Sequence, residues 1–235
     1  MVKLSKRLMA VAALVTPGNR IADVGTDHGY IPIYLVQQGN VAQAIAMDVK
    51  EGPLMCAEEH IAREGLCGYI KTKKSDGVKA LEPGEVDSVI IAGMGGALVM
   101  KILSEGTQVC TAAKEIILQP QSELEKVRHF IYDNGYHITK EDMVLEDGKY
   151  YPMMRIASGR DEKKYPPAYF RYGGFLIQES HPVLCQFLDR EEEQLFKIKV
   201  QLEQQGDGTR VEQRISEIIE KLKLIRDARR EMENI

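Results

Sequence analysis

The sequence predicts an α/β fold, a mostly parallel sheet followed by an α-helical hairpin, and three observations carry that reading. Short apolar runs at 21–24, 43–48, 69–74, 86–92 and 114–118 alternate with stretches of helical periodicity, which is the rhythm of βαβ units. Asp147-Gly-Lys149 separates two further runs, 137–146 and 150–157, a hairpin signal that adds antiparallel strands at one sheet edge. From Val183 onward the apolar residues recur three and four apart, a heptad stripe on two helices around a short turn.

Composition agrees with one sheet domain plus a smaller addition. The chain has 235 residues, 44% hydrophobic, enough for a buried core and incompatible with disorder. A net charge of −4 gives no global attraction for nucleic acid, so any basic surface is local. No apolar run is long enough for a membrane helix, and Met1 to Val15 lacks the cleavage pattern of a signal peptide. Cys56, Cys67, Cys110 and Cys185 have no paired spacing. They read as reduced, mostly buried thiols of a cytoplasmic protein that holds no metal.

The elements follow in order. A helix over 4–15 presents Leu4, Leu8, Val11, Ala12 and Val15 on one face and stops at Pro17-Gly18. Its Ser5-Lys6-Arg7 edge either approaches a ligand or is a solvated start. After strand 21–24 and its helix, strand 43–48 leads to helix 53–64, which Gly65 ends. Strand 69–74 has an alternating lysine face, and strand 86–92 runs into a helix near Ala97. Strand 114–118 precedes helix 123–134, for which Ser122 and Glu125 form a capping box. The expected domains are 1–158, a linker 159–182 and the hairpin 183–235. In the linker, Tyr169 to Gly174 either stack bases beside Arg171 or pack a junction. In the hairpin Leu184, Leu188, Leu195, Ile198 and Leu202 form one seam and Val211, Ile215, Ile218, Leu222 and Ile225 the other. Gly206-Asp-Gly208 is the turn, and Thr209 with Glu212 a second capping box. Ten basic and twelve acidic residues follow from Asp189, so the hairpin is no polycationic arm. Arg226, Arg229 and Arg230 either meet phosphates or line a solvated face.

Function turns on Ile21-Ala-Asp-Val-Gly-Thr-Asp-His-Gly-Tyr-Ile31. Strand, glycine turn and helix start follow one another, and the free N–H groups of a helix start suit a polar ligand. Gly25 and Gly29 are spaced Gly-x-x-x-Gly. This is neither the Gly-x-Gly-x-x-Gly of dinucleotide sites nor a P-loop. Asp23 and Asp27 place negative charge where a pyrophosphate would lie, and they suit a cation instead. S-adenosylmethionine carries an ammonium and a sulfonium and no phosphate. Asp48, beside Val49, follows Gly25 by 23 positions, where an acid bonds ribose hydroxyls. That carboxylate fits NAD and S-adenosylmethionine alike; the first turn favours the latter. Ser75-Asp76-Gly77 ends the third strand as an adenine site or a plain turn, and its interval after Asp48 favours the site. Ala92-Gly93-Met94-Gly95-Gly96 puts three glycines at a strand's carboxyl end, where something needs room.

Leu4-Ser-Lys-Arg-Leu8, Ala22 to Tyr30, Ser75-Asp-Gly77, Ile91 to Gly96 and Leu118-Gln-Pro120, in this order over nearly the whole chain, resemble the bacterial TrmK family. Its members are tRNA methyltransferases that act on N1 of adenine 22. The resemblance implies a class I (Rossmann-like) S-adenosylmethionine-dependent methyltransferase fold with a C-terminal coiled-coil hairpin. It implies a cofactor site of Arg7, Asp23, Gly25, Asp27, His28, Asp48, Val49, Ser75, Asp76, Gly77, Ala92, Gly93 and Met94. Gly29 stands where some members have alanine, and Gln121 where asparagine occurs.

For that reaction adenine N1 attacks through an in-plane lone pair, so no strong base is needed, and strand four carries no Asn-Pro-Pro-Tyr motif for an exocyclic amine. The expected catalytic set is Asp27, His28, Tyr30 and Gln119. His28 and Tyr30 orient the base, or else bond backbone and pack under the helix. Gln119 and Gln121 read the adenine edge, and Asp27 bonds the adenine amino group or the cofactor ammonium. The expected partner is tRNA, held by the N-terminal lysines, Lys71, Lys73, Lys74 and Arg160, Lys163 and Lys164, with the hairpin as a measuring arm. The expected assembly is a monomer or weak homodimer. Two other classes compete: a small-molecule or protein methyltransferase, and a non-catalytic RNA-binding scaffold with a cofactor pocket. A dehydrogenase fits least.

Overall fold

Seven strands form one sheet in the order β3-β2-β1-β4-β5-β7-β6. The structure is a computed structural model that describes residues 2–204 and 208–234. The chain divides into two compact units, Met1–Glu162 and Lys163–Ile235. In the first, α1 (Lys6–Ala13) precedes β1 (Ile21–Val24), α2 (Tyr30–Gln37), β2 (Ala44–Asp48), α3 (Glu51–Arg63) and β3 (Ile70–Lys74). Then come β4 (Ser88–Met94), α4 (Gly96–Glu105), α5 (Thr107–Ala112), β5 (Glu115–Pro120) and α6 (Leu124–Asp133). The hairpin of β6 (Tyr136–Glu146) and β7 (Lys149–Ser158) closes the unit.

The first five strands pair in parallel, and β7 joins β5 antiparallel. All four residues of β1 are buried, as a strand covered on both faces requires. Ile21, Ile90 and Ile117 share one core with Val11 of α1, Ile33 of α2 and Ala57 and Ile61 of α3. Strand order reverses between β1 and β4, so their carboxyl ends flank a crevice. At the opposite end a buried carboxylate, Glu115, accepts from the Thr16 N–H (2.8 Å), the Thr16 hydroxyl (2.6 Å) and the Ser88 hydroxyl (2.8 Å). With its oxygens satisfied, it ties the loop before β1 to β4 and β5.

The β6–β7 turn is Asp147-Gly148, both left-handed at φ +49° and +73°, the two-residue turn whose twist matches a hairpin. The expected capping box at Ser122 is not formed. Glu123 is the left-handed N-cap of α6 and gives it no side-chain bond. Ser122 serves α4 instead: its hydroxyl accepts from Gly96 N–H at 3.1 Å, and the Glu123 carboxylate accepts from Ala97 N–H at 3.2 Å. The tertiary approach of α4 thus outcompetes the local box. α5 was not foreseen. Of the thiols only Cys110 is buried; Cys67 is exposed and Cys56 and Cys185 are half-buried, so the expectation of mostly buried cysteines fails.

In the second unit α7 (Pro167–Tyr172) and α8 (Gly174–Gln178), within the stretch read as a linker, precede α9 (Pro182–Gln204) and α10 (Thr209–Glu233). Tyr172 is buried and donates to Glu191 at 2.8 Å, and Arg171 pairs with the same carboxylate at 2.9 Å. The Tyr172 ring and the Arg171 charge are thus engaged in packing. Arg229, late in α10, pairs with Asp189 and Glu192, early in α9, so the two helices run antiparallel. Arg230 pairs with Asp227. Leu184, Leu188, Leu195, Ile218, Leu222, Ile225 and Ala228 are buried, whereas Ile198, expected on the seam, is 40% exposed. Thr209 is the first helical residue rather than the cap; Gly208 holds the cap position without a side-chain bond. Gly206 and Asp207, read as the turn, lie outside the described residues. Among the described residues no helix is long and apolar enough to cross a membrane.

The α4 cap makes Gly96 indispensable. A Cβ there would sit 2.4 Å from the Ser122 carbonyl oxygen and 3.0 Å from Val127. Gly96→Ala is expected to destabilise the protein by about 1–3 kcal/mol through overpacking, read as a lower midpoint in urea denaturation. An unchanged midpoint would contradict this account of the cap.

Candidate functional site

The chain leaves β1 through a loop with three left-handed residues in five: Gly25 (φ +75°), Asp27 (φ +52°) and Gly29 (φ +71°). Glycine takes that conformation freely, and aspartate more readily than most side chains. The N–H groups of Gly25 and Thr26 both donate to the Met47 carbonyl, at 2.8 and 2.9 Å, and fasten the loop to β2. The Thr26 hydroxyl donates to Asp23 at 2.7 Å. A Cβ on Gly25 would fall 2.3 Å from the terminal methyl of Met94. The Met94 side chain of β4 therefore lies directly over Gly25, in the space a side chain there would take.

This loop and the end of β4 enclose a cavity of about 390 Å³. It brings together Arg7, Asp23, Gly25, Asp27, His28, Tyr30, Ala92, Gly93 and Gln121 of the expected residues, and adds Leu8, Thr26 and Ile31. Asp48, Val49, Ser75, Asp76, Gly77, Met94 and Gln119 do not line it. Asp48 accepts from the Lys50 N–H at 2.9 Å and lies close enough to raise the pKa of Asp23. Val49 is exposed. Asp76 pairs with Lys79 at 2.6 Å, and the Ser75 hydroxyl donates to the Gly77 carbonyl at 2.8 Å. Gly77 is left-handed (φ +61°), and Ile102 lies 3.2 Å from where its Cβ would be.

Gln119 is fully buried. Its side-chain oxygen accepts from Arg7 at 2.9 Å and from the Gly93 N–H at 3.2 Å. It joins α1 to the glycine turn rather than facing the cavity; Gln121, exposed and on the lining, is the amide that does. Arg7 is further held over the Tyr151 ring at 5.6 Å.

Sequence reasoning missed His60. It lies on α3, stacks on Tyr30 at 5.4 Å between centroids and is 5.5 Å from His28. His28 and Tyr30 stack at 5.3 Å. The available signal was a lone histidine at helical spacing from Ala57, beside Ile61 on a buried face.

Burial pushes the Asp23 carboxyl up to about 6; the Thr26 hydroxyl offsets part of this and the Asp48 charge adds to it. Among the described residues no cation pairs with Asp23, and a buried carboxylate in that position favours a cationic ligand. Asp27, exposed at the rim and 3.6 Å from the His28 ring, adds a second acid. The residues present thus fit a cationic ligand without phosphate groups that lies across Gly25. Among the described residues no group of three or more His, Cys, Asp or Glu is placed to hold a metal.

Comparison with known proteins agrees with this geometry. The model of a methyltransferase domain family matches residues 4–154. The tRNA (adenine(22)-N(1))-methyltransferase of Bacillus subtilis is 32% identical over 229 residues, 96% of each chain. A crystal structure of the Bacillus subtilis enzyme TrmK superposes with TM-score 0.85 at 31% identity and covers 97% of this chain and 99% of that one. A Streptococcus pneumoniae protein in complex with S-adenosyl-L-methionine superposes at 0.84, with 33% identity over 96% of this chain and 99% of its own.

Asp23 also makes stability depend on pH. The folded state holds this proton more tightly than an unfolded chain, whose carboxyl titrates near ~3.9. Stability from this group is therefore present below pH ~4 and is lost as pH rises through about 6. The loss is about 3 kcal/mol at most. Without ligand, Asp23→Asn is expected to be more stable than wild type at pH 8, by denaturant titration, with the gap closing towards pH 4. A variant less stable than wild type at pH 8 would contradict the assignment.

Proposed function

We infer that this chain, which belongs to the TrmK family of bacterial tRNA (adenine(22)-N(1))-methyltransferases, transfers a methyl group from S-adenosylmethionine to N1 of adenine 22 in tRNA. The observation that carries this reading is the buried Asp23 carboxylate at the floor of the cavity, beneath the left-handed loop from Gly25 to Gly29. Asp23 and Asp27 bind positive charge, and Asp48 is the acid for ribose hydroxyls at the end of β2. When bound, S-adenosylmethionine supplies an electrophilic methyl on a sulfonium.

The protein's task in this reaction is positioning and exclusion of water. Adenine N1 carries its own lone pair, so no side chain has to remove a proton before the new N–C bond forms. N1 faces a pairing partner in a duplex, so the base has to enter unpaired. Tyr30, 38% exposed at the rim, offers it an aromatic face backed by His28. Gln121 meets the base edge from the opposite wall, while Gln119 holds Arg7 and Gly93 in place behind it. Methylation leaves the base cationic, and the Asp27 carboxylate favours that charge.

Two expected tRNA contacts are already paired: Lys73 with Glu85 and Lys74 with Glu51. Exposed Lys71 remains a contact for phosphates. The α9–α10 hairpin reads the shape of the tRNA, and the protein works in the cytoplasm as a monomer or weak homodimer.

The test is incubation of the pure protein with an unmodified tRNA transcript and methyl-labelled S-adenosylmethionine, followed by digestion to nucleosides. Label is expected in 1-methyladenosine, and it should vanish when adenine 22 of the transcript is replaced by guanine. Cofactor binding without any labelled tRNA would overturn the reading.

A further inference from the structure

His60 occupies a place that nothing above assigns to a function. Its ring Nδ1 lies 3.0 Å from the His28 carbonyl oxygen. A carbonyl only accepts, so Nδ1 carries the proton and donates. One turn earlier on the same helix, Ala57 is 3.4 Å from where a Gly29 Cβ would sit. α3 therefore holds the loop at His28 and at Gly29, in the stretch where Asp27 and Gly29 adopt left-handed backbone conformations.

The rings tell the same story. His28, Tyr30 and His60 lie 5.3, 5.4 and 5.5 Å apart in pairs, with interplanar angles of 29°, 18° and 31°. His28 and Tyr30 line the cavity, and His60 does not. The His28 ring has little else to fix it. Its Nδ1 is buried without a hydrogen-bond partner among the described residues, and its other nitrogen only reaches the exposed Asp27 carboxylate at 3.6 Å. Stacking is left to set its rotation, because terminal ring torsions are otherwise broad. His60 is the member whose ring makes a directional hydrogen bond, and it sits well inside α3, whereas Tyr30 is the first residue of α2, so His60 is the fixed ring of the three.

We propose that His60 is a positioning residue for methyl transfer. It fixes the His28 backbone and stacks with Tyr30, and so sets the aromatic face that meets the target base. This rests on the tRNA methylation proposed above. It divides the work between two features, a hydrogen-bond donor and a flat ring, which substitution can separate. His60→Asn keeps a donor at the Nδ1 position and removes the ring. His60→Phe keeps the ring and removes the donor. His60→Ala removes both.

The experiment is steady-state tRNA methylation by the four proteins, with S-adenosylmethionine affinity by calorimetry and melting temperature measured on each. His60→Ala is expected to lower kcat by about ten- to a hundred-fold, the scale of a misplaced reacting group, with cofactor Kd changed less than about threefold. The Asn and Phe variants are expected to recover separate parts of that loss. A His60→Ala protein with kcat within about twofold of wild type would overturn the proposal. So would a fall in kcat matched by an equal loss of cofactor affinity, or no rescue by either the Asn or the Phe variant, because each describes a merely structural residue. A wild type that binds cofactor and labels no tRNA would instead overturn the function beneath it, and the two failures are read from different proteins.

Discussion

A carboxylate held out of water near the carboxyl end of β1 sets the terms for the rest of this structure. Asp23 is 4% exposed and accepts a hydrogen bond from the Thr26 hydroxyl, and among the described residues no cation pairs with it. Such a group costs stability whenever it is ionised. A fold that keeps it gains only when something positive arrives to meet it. The cavity above it, the second acid on the rim and the left-handed loop that begins at Gly25 all belong to that demand.

The scaffold answers with geometry that is rigid where the ligand lies. Two N–H groups of the loop share the Met47 carbonyl, and Gln119 ties the first helix to the Gly93 turn from below. The order reversal between β1 and β4 opens the crevice in which these parts meet. Arg7 reaches that crevice because Glu146 accepts from the N–H groups of Lys6 and Arg7 at the start of α1, at 2.6 and 3.3 Å. The antiparallel hairpin at the sheet edge thus helps to hold the first helix where the site needs it.

Much of this was legible in the sequence, and what was not failed for identifiable reasons. The strands at 21–24 and 44–48 could be read because a strand buried on both faces is a local apolar run. The Asp147-Gly148 hairpin could be read because its turn demands left-handed residues. Ser122 misled because its local box competed with a helix start that sits 26 positions earlier in the chain, at Gly96. Gln119 was read as facing the base, but strand alternation does not say whether an amide at a strand end meets solvent or two backbone neighbours. Ser75-Asp76-Gly77 has the spacing of a site, and the packing of its glycine against Ile102 comes from a helix 25 positions later that the strand end does not announce. His60 was invisible because its partner His28 lies 32 positions away, and only the fold brings α3 across the loop.

The most direct measurement is the affinity for S-adenosylmethionine as a function of pH, from 5 to 8, for wild type and Asp23→Asn. If the buried carboxylate receives the cationic ligand, wild-type affinity falls as the pH drops through about 6. The Asn variant then binds more weakly at pH 8 and lacks that step. Equal affinity of the two proteins at pH 8, or the same pH profile in both, would contradict the account, because Asp23 would then be a structural burden without a ligand to justify it.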